Sequence, residues 1–164
     1  MIAAVLAAAA VAPAQVLVVS ETRGFHHDSI PAAKAMIGSL GYRTAYVEAR
    51  QLTVGRLRHA RAIVFLNTSG ELRLDAAGRR RLLAFVRGGG GFVGTHSAAA
   101  TFQRWRAFRR MLGAEFLTHA PPGPGSVALG HFPATWSDPN QRRLIADGLR
   151  WATQPSRARS VAAP

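Results

Sequence analysis

At 164 residues the chain is about one domain long, and its 48% apolar and 18% charged content describes a globular protein rather than a disordered one. It has no cysteine, which removes disulfides, thiolate metal sites and a cysteine nucleophile from consideration. The formal net charge of +13 comes almost wholly from arginine, Lys34 being the single lysine. Short runs occur at Arg79–Arg81 and Arg142–Arg143, and Arg104, Arg106, Arg109 and Arg110 lie close together. The rest are scattered, and few aromatic residues interleave with them, so a base-stacking platform is not supported and no nucleic-acid partner is expected. A weak attraction to acidic surfaces is compatible with this charge.

The first 14 residues, Met-Ile-Ala-Ala-Val-Leu-Ala-Ala-Ala-Ala-Val-Ala-Pro-Ala, form an apolar run too short to span a bilayer. They fit the apolar part of a secretory signal peptide, with Ala-Val-Ala or Ala-Pro-Ala as the cleavage site. The alternative is an ordinary apolar N-terminus. The expected location is secreted or periplasmic in the first case and cytoplasmic in the second, with no stable membrane insertion in either.

Residues 15–20 (Gln-Val-Leu-Val-Val-Ser) are a continuous β-branched and leucine run, which suits a strand buried on both faces of a parallel sheet. It leads into the polar segment 21–29, where Asp28 or Ser29 is placed to cap a helix over 30–40 that carries Pro31 in its first turn. A second strand is predicted over 42–47, a short helix over 54–59 and a third buried strand over 62–66. The polar turn Asn67-Thr68-Ser69-Gly70-Glu71 follows. Residues 74–87 read as a helix that ends at four consecutive glycines, Gly88 to Gly91. Phe92 and Val93 then make a very short strand, and Gly94 opens a tight turn carrying Thr95, His96 and Ser97. A helix is predicted over 102–112, with Trp105, Phe108 and Leu112 facing inward. Beyond it lie a Pro-Gly breaker loop at 121–125, a strand stub at 127–129 and a loop over 130–136. A last helix, capped by Ser137 or Asp138, ends near Trp151. The domain thus spans 15–153, followed by a polar, frayed tail over 154–164. Strands alternating with helices call for a parallel sheet with right-handed crossovers.

Five of the six histidines (His26, His27, His96, His119 and His131) fall in predicted loops, and only His59 lies at a helix end. In a parallel sheet the strand exits share one edge, so residues distant in sequence meet in one crevice. Imidazole suits both proton transfer near neutral pH and zinc-like metals, and Asp28 and Glu71 leave the same loops as carboxylates. Each residue also has a structural reading. His27 would bond a helix N-terminus, His96 would buttress the turn, His119 and His131 would be loop residues, Ser97 would cap a helix, and 67–70 would be a plain turn.

Four stretches taken together carry a resemblance: Gly24-Phe-His-His-Asp-Ser-Ile30, Val64-Phe-Leu-Asn-Thr-Ser-Gly70, Gly88-Gly-Gly-Gly-Phe-Val-Gly-Thr-His-Ser-Ala98 and Leu129-Gly-His131. In that order they resemble the ThuA-like, trehalose-utilisation family of the class I glutamine amidotransferase-like, flavodoxin-like superfamily, over most of 15–153. The resemblance implies a three-layer α/β domain with a mainly parallel sheet. It also implies a bacterial, frequently exported protein of carbohydrate utilisation that binds or acts on a sugar or oxidised (keto) sugar, as a hydrolase or lyase. Thr95 and His96 occupy the region where the superfamily's amidotransferases carry their cysteine, so a cysteine-dependent amidotransferase is excluded. The implied catalytic residues are His27, His96, His131 and Asp28. Those implied for substrate binding are Gly24, Phe25, Asn67, Thr68, Ser69, Ser97, Gly130 and His119. His27, His96 and His131 would act either as acid/base groups or as ligands of a divalent, zinc-like metal. Relatives carry a long segment with further strands and acidic residues between the equivalents of His119 and the Leu-Gly-His motif, where this chain has only 120–128. That departure keeps a second expectation open, a shortened, non-catalytic carbohydrate-binding or scaffold domain. It also raises the prospect of a homodimer through an exposed sheet edge.

Overall fold

A computed structural model describes residues 15–118 and 129–155. The expected signal segment 1–14, His119, the Pro-Gly loop, most of the strand stub and the end of the tail lie outside the described residues.

Four strands, β1 (Gln15–Val19), β2 (Arg43–Val47), β3 (Ala60–Leu66) and β4 (Gly91–Thr95), form one all-parallel sheet in the order β2-β1-β3-β4. The helices are α1 (Ile30–Gly38), α2 (Val54–Leu57), α3 (Ala76–Arg87), α4 (Arg106–Leu112) and α5 (Pro139–Thr153). The two central strands are the β-branched runs seen in the sequence, and their side chains alternate between two cores. Leu17, Val19, Ile63 and Phe65 pack with Leu57 of α2, Leu82 of α3 and Phe108 of α4. Val16, Val18, Val64 and Leu66 pack with Ala33, Met36 and Ile37 of α1, Leu149 of α5, and Trp136. The result is helix, sheet, helix: a three-layer α/β domain of flavodoxin-like type. Among the described residues no helix is long and apolar enough to cross a membrane.

Two local expectations are corrected. The strand expected at Phe92 and Val93 is five residues long, because Gly91, Gly94 and Thr95 belong to it. A Cβ on Gly91 would run into the Ala152 backbone, so this glycine lets α5 lie directly on the sheet edge. The helix expected over 102–112 begins only at Arg106. Residues His96–Ala100 first make a 3-10 turn, and Phe102 sits at φ 49. Its N–H donates to the Gly70 carbonyl at 3.1 Å, and its ring is fully buried against Phe65, Trp105 and Phe108. Tertiary packing of that ring overrides local helix propensity.

Phe65 is the centre of this aromatic group, with ring centroids 5.1 Å from Phe92 and 5.5 Å from Phe108. Truncating it leaves a cavity that three rings cannot close. Phe65→Ala is expected to lower unfolding free energy by about 3–5 kcal/mol, read from urea denaturation.

Candidate functional site

Because all four strands run the same way, the exits of β1, β3 and β4 lie on one edge of the sheet. The three exits are tied to one another by main chain. Arg23 N–H donates to Ser69 O at 2.8 Å, Gly70 N–H donates to Ala100 O at 2.9 Å, and isolated bridges join Thr22 to Ser69 and Gly70 to Thr101. Asn67, His96 and Phe102 are the non-glycine residues with positive φ among those described, and all three follow the ends of β3 and β4. Left-handed backbone at such residues costs free energy and persists only where surrounding contacts over-determine it.

Those contacts centre on the carbonyl of Gly130. It accepts from Ser29 Oγ at 2.7 Å, Asn67 Nδ2 at 2.9 Å and Trp136 Nε1 at 3.1 Å. Asn67 Nδ2 also donates to Ser29 Oγ at 3.0 Å, while its Oδ1 accepts from Thr95 Oγ1 at 2.9 Å. Thr95 Oγ1 in turn accepts from the Asn67 N–H at 3.0 Å. Ser29, Asn67, Thr95 and Trp136 are all buried, so each polar group in this network is satisfied where water is excluded. Ser29 stands at the N-cap position of α1 but makes no side-chain cap bond, because its hydroxyl is committed to Gly130. Gly130 itself has φ +88, and a Cβ there would stand 2.9 Å from the Cβ of His96. Only glycine fits.

This network sets the positions of three imidazoles that follow or precede its members. His96 Nε2 lies 2.9 Å from His27 Nε2 and 3.3 Å from His131 Nδ1. One nitrogen from each ring falls within 4.8 Å of the other two, close enough together to hold a metal ion. Ser97 Oγ is 3.4 Å from His27 Nδ1, on the other side of that ring. His27 is 5% exposed, and His96 and His131 stand nearer solvent. Burial, then the charges of His96, His131 and His26, lower the pKa of His27 to about 4, with Asp28 opposing weakly. At neutral pH His27 is therefore an uncharged ring carrying one nitrogen lone pair.

The spacing of the three nitrogens suits a metal ion. Ring nitrogens about 2.0–2.1 Å from a tetrahedral zinc stand roughly 3.3–3.4 Å apart. The observed separations of 2.9 and 3.3 Å match one edge and fall slightly short on the other. A single proton on His96 Nε2 satisfies one of its two neighbours, whereas a cation satisfies all three lone pairs at once.

The remaining sequence candidates divide into two groups. Phe25 and Asp28 are exposed at the rim, and the Phe25 ring centroid lies 4.7 Å from that of His27. Gly24 packs against the Ser69 side chain and Gly70 N, and Ser69 Oγ donates to Phe25 O at 2.6 Å. Asn67, Thr68 and Ser69 are buried, and their side chains bond within the protein, Thr68 to Thr101 at 2.7 Å. His26 pairs with Thr22 beside the three-imidazole group without joining it, and His59 pairs with Arg58. Sequence reasoning missed Ser29, Thr95 and Trp136 as members of the site's frame. Ser29 reads as an ordinary cap residue, and only its proximity to the Phe-His-His-Asp run hinted at another use.

A model of the ThuA family, described as trehalose utilisation, matches residues 15–128. The chain belongs to that family. The ThuA family lies in the class I glutamine amidotransferase-like superfamily, and the three-layer parallel fold agrees with this. No curated protein and no solved structure gives a significant match. His27 and His96 fall within the ThuA match, and Gly130 and His131 follow it.

Two measurements follow. His27 has a folded pKa below its ordinary value of 6.5, so the unfolded chain binds the extra proton first as pH falls. Its contribution to stability is complete above about pH 6.5 and is lost as pH drops towards 4. Urea midpoints should fall across that window in the wild type, and His27→Gln should flatten this part of the profile. Gly130→Ala should destabilise the fold by about 1–3 kcal/mol through strained φ and the clash with His96, again by urea unfolding.

Proposed function

We propose that this ThuA-family protein is an enzyme acting on a sugar or oxidised (keto) sugar. In this reading His27, His96 and His131 hold a divalent metal of the zinc class at the carboxyl edge of the sheet. The observation that carries it is the convergence of three ring nitrogens, two of them 2.9 and 3.3 Å from His96 Nε2. When bound, such a metal supplies Lewis-acid polarisation of a sugar carbonyl, or a water made acidic enough to attack near neutral pH.

The chain's own residues divide the remaining work. His27, kept neutral by burial, offers a lone pair at physiological pH without first losing a proton. Ser97 Oγ stands 3.4 Å from its Nδ1, where it supports the ring's orientation. Asp28, exposed beside His27, is the carboxylate assigned to take or give the substrate proton. Phe25 and Gly24 line the approach. With no cysteine in the chain, glutamine hydrolysis by a thiol is out, and the reaction class this reading assigns is hydrolytic or lyase-type cleavage of the sugar.

Untagged protein is expected to bind one Zn²⁺ or Mn²⁺ per chain by calorimetry. His96→Ala should weaken that binding at least about 100-fold, since it removes the nitrogen shared by both contacts, and should abolish turnover of a keto-glucoside. Wild-type protein that binds no divalent metal, or turnover that survives His96→Ala, would sink this assignment.

A further inference from the structure

Most of the chain's arginines are scattered, but three of them face one cavity on the β2 side of the sheet's carboxyl edge. It has a volume of about 370 Å³ and is lined by Arg50, Arg73, Leu74, Asp75 and Arg81. Arg50 follows β2, Arg73 follows β3, and Arg81 lies on α3. Arg81 ties the segments together, its Nε donating to the Leu52 carbonyl at 3.3 Å. A neighbouring polar cavity of about 500 Å³, with Arg23, Lys34 and Tyr46 in its lining, shares Arg73 as a wall.

The three guanidinium groups are unequally matched by carboxylates. Arg50 Nε stands 2.5 Å from Glu48 Oε2. Arg81 reaches Asp75 Oδ1 only at 3.9 Å, and that oxygen already accepts from the Gly78 N–H at 2.6 Å. Arg73 makes no hydrogen bond and no ion pair among the described residues. Arg79, two positions before Arg81, is by contrast fully occupied, lying 5.1 Å from the ring centroids of Phe102 and Trp105 and 3.3 Å from Glu71. Glu21 is held by Arg23 Nε at 3.1 Å and the Ala49 N–H at 3.2 Å, so it is not a partner for Arg73. Three arginines and one aspartate leave the cavity lining with an excess of positive charge.

We propose that this cavity binds a doubly charged tetrahedral oxyanion of the phosphate class, with Arg73 and Arg81 as its principal partners and Arg50 at its rim. A guanidinium presents a planar fork of N–H donors that matches two oxygens of a phosphate at once. A dianion has charge and oxygens for more than one such fork, whereas a monocarboxylate serves one fork and leaves the other without a partner. A metal cation is repelled by the same lining. The buried Leu74 forms one wall, and a low-dielectric wall strengthens the attraction over that in open water. No residue of this cavity belongs to the three-imidazole group, which is built from the exits of β1 and β4 and the Gly130 turn. The inference therefore stands apart from the metal and sugar readings above.

The test is calorimetric titration of the full chain with inorganic phosphate and with glycerol 3-phosphate, near neutral pH, at physiological ionic strength and without added metal. It is run on wild type, Arg73→Gln, Arg81→Gln, His96→Ala and Arg143→Gln, the last an exposed arginine of α5 that serves as a charge control. Arg73→Gln and Arg81→Gln should each weaken phosphate binding about tenfold or more. Arg143→Gln and His96→Ala should bind phosphate as wild type does, and Arg73→Gln should keep wild-type Zn²⁺ affinity. Arg73 makes no bond within the described protein, so its variant should keep the wild-type Tm without phosphate and lose the rise in Tm that phosphate gives the wild type. Tighter binding of glycerol 3-phosphate than of phosphate assigns the cavity to a monoester, and the reverse assigns it to the free ion. A wild type that binds neither probe overturns the site, as does unchanged affinity in Arg73→Gln. An equal loss in Arg143→Gln overturns it in favour of overall charge, and a loss in His96→Ala overturns it in favour of the imidazoles.

Discussion

The carbonyl oxygen of Gly130 is the point on which the site is built. Three buried donors from three separate parts of the chain converge on it: the hydroxyl of Ser29 before α1, the amide of Asn67 after β3, and the indole of Trp136. A main-chain carbonyl has two lone pairs, so three donors at 2.7–3.1 Å occupy its accepting capacity fully. Losing one donor still leaves the carbonyl two partners, but losing Asn67 also takes the 2.9 Å acceptor from the buried Thr95 hydroxyl. Each of the three imidazoles is covalently close to a member of this network. His27 is two residues before Ser29, His96 follows Thr95, and His131 follows Gly130. The sheet brings the strand exits to one edge, and the carbonyl turns that approximate meeting into ring nitrogens about 3 Å apart.

Strain and desolvation work in the same direction. Asn67 and His96 hold left-handed backbone, and His27 is buried although imidazole is a polar group. None of these is favourable alone. The first two are held by the bonds of Asn67 to Thr95 and Gly130, and the third is tolerated because the ring stays neutral. A neutral, fixed imidazole beside two others is a donor set in the sense of metal chemistry. The same ring left exposed would be half protonated near pH 6.5 and would bind a cation only in competition with protons.

Much of this was legible in the residues. The β-branched runs at 15–20 and 62–66 announced strands covered on both faces, and their burial follows the alternation of a parallel sheet. Histidines placed just after such runs pointed to one edge, and three of them meet there. Other features were illegible because they depend on partners far away in the chain. Ser29 looks like a helix cap, yet its hydroxyl bonds a carbonyl 101 positions on, which no local pattern records. Phe102 reads as the start of an amphipathic helix, but the pull of Phe65 and Phe108 sets it in a left-handed turn instead. Asn67, Thr68 and Ser69 read as a polar turn facing a ligand. In the fold all three are buried, and their side chains bond to Gly130, Thr101 and Phe25, partners no local pattern names.

The most direct test of this account changes a residue that touches none of the three ring nitrogens. Asn67→Ala removes one donor from the Gly130 carbonyl and the acceptor for Thr95, while His27, His96 and His131 remain in the sequence. With folding checked by circular dichroism, Zn²⁺ affinity should fall about 10- to 100-fold relative to wild type. An affinity equal to wild type in the folded variant would show that the imidazoles find one another without the carbonyl, contradicting its central role.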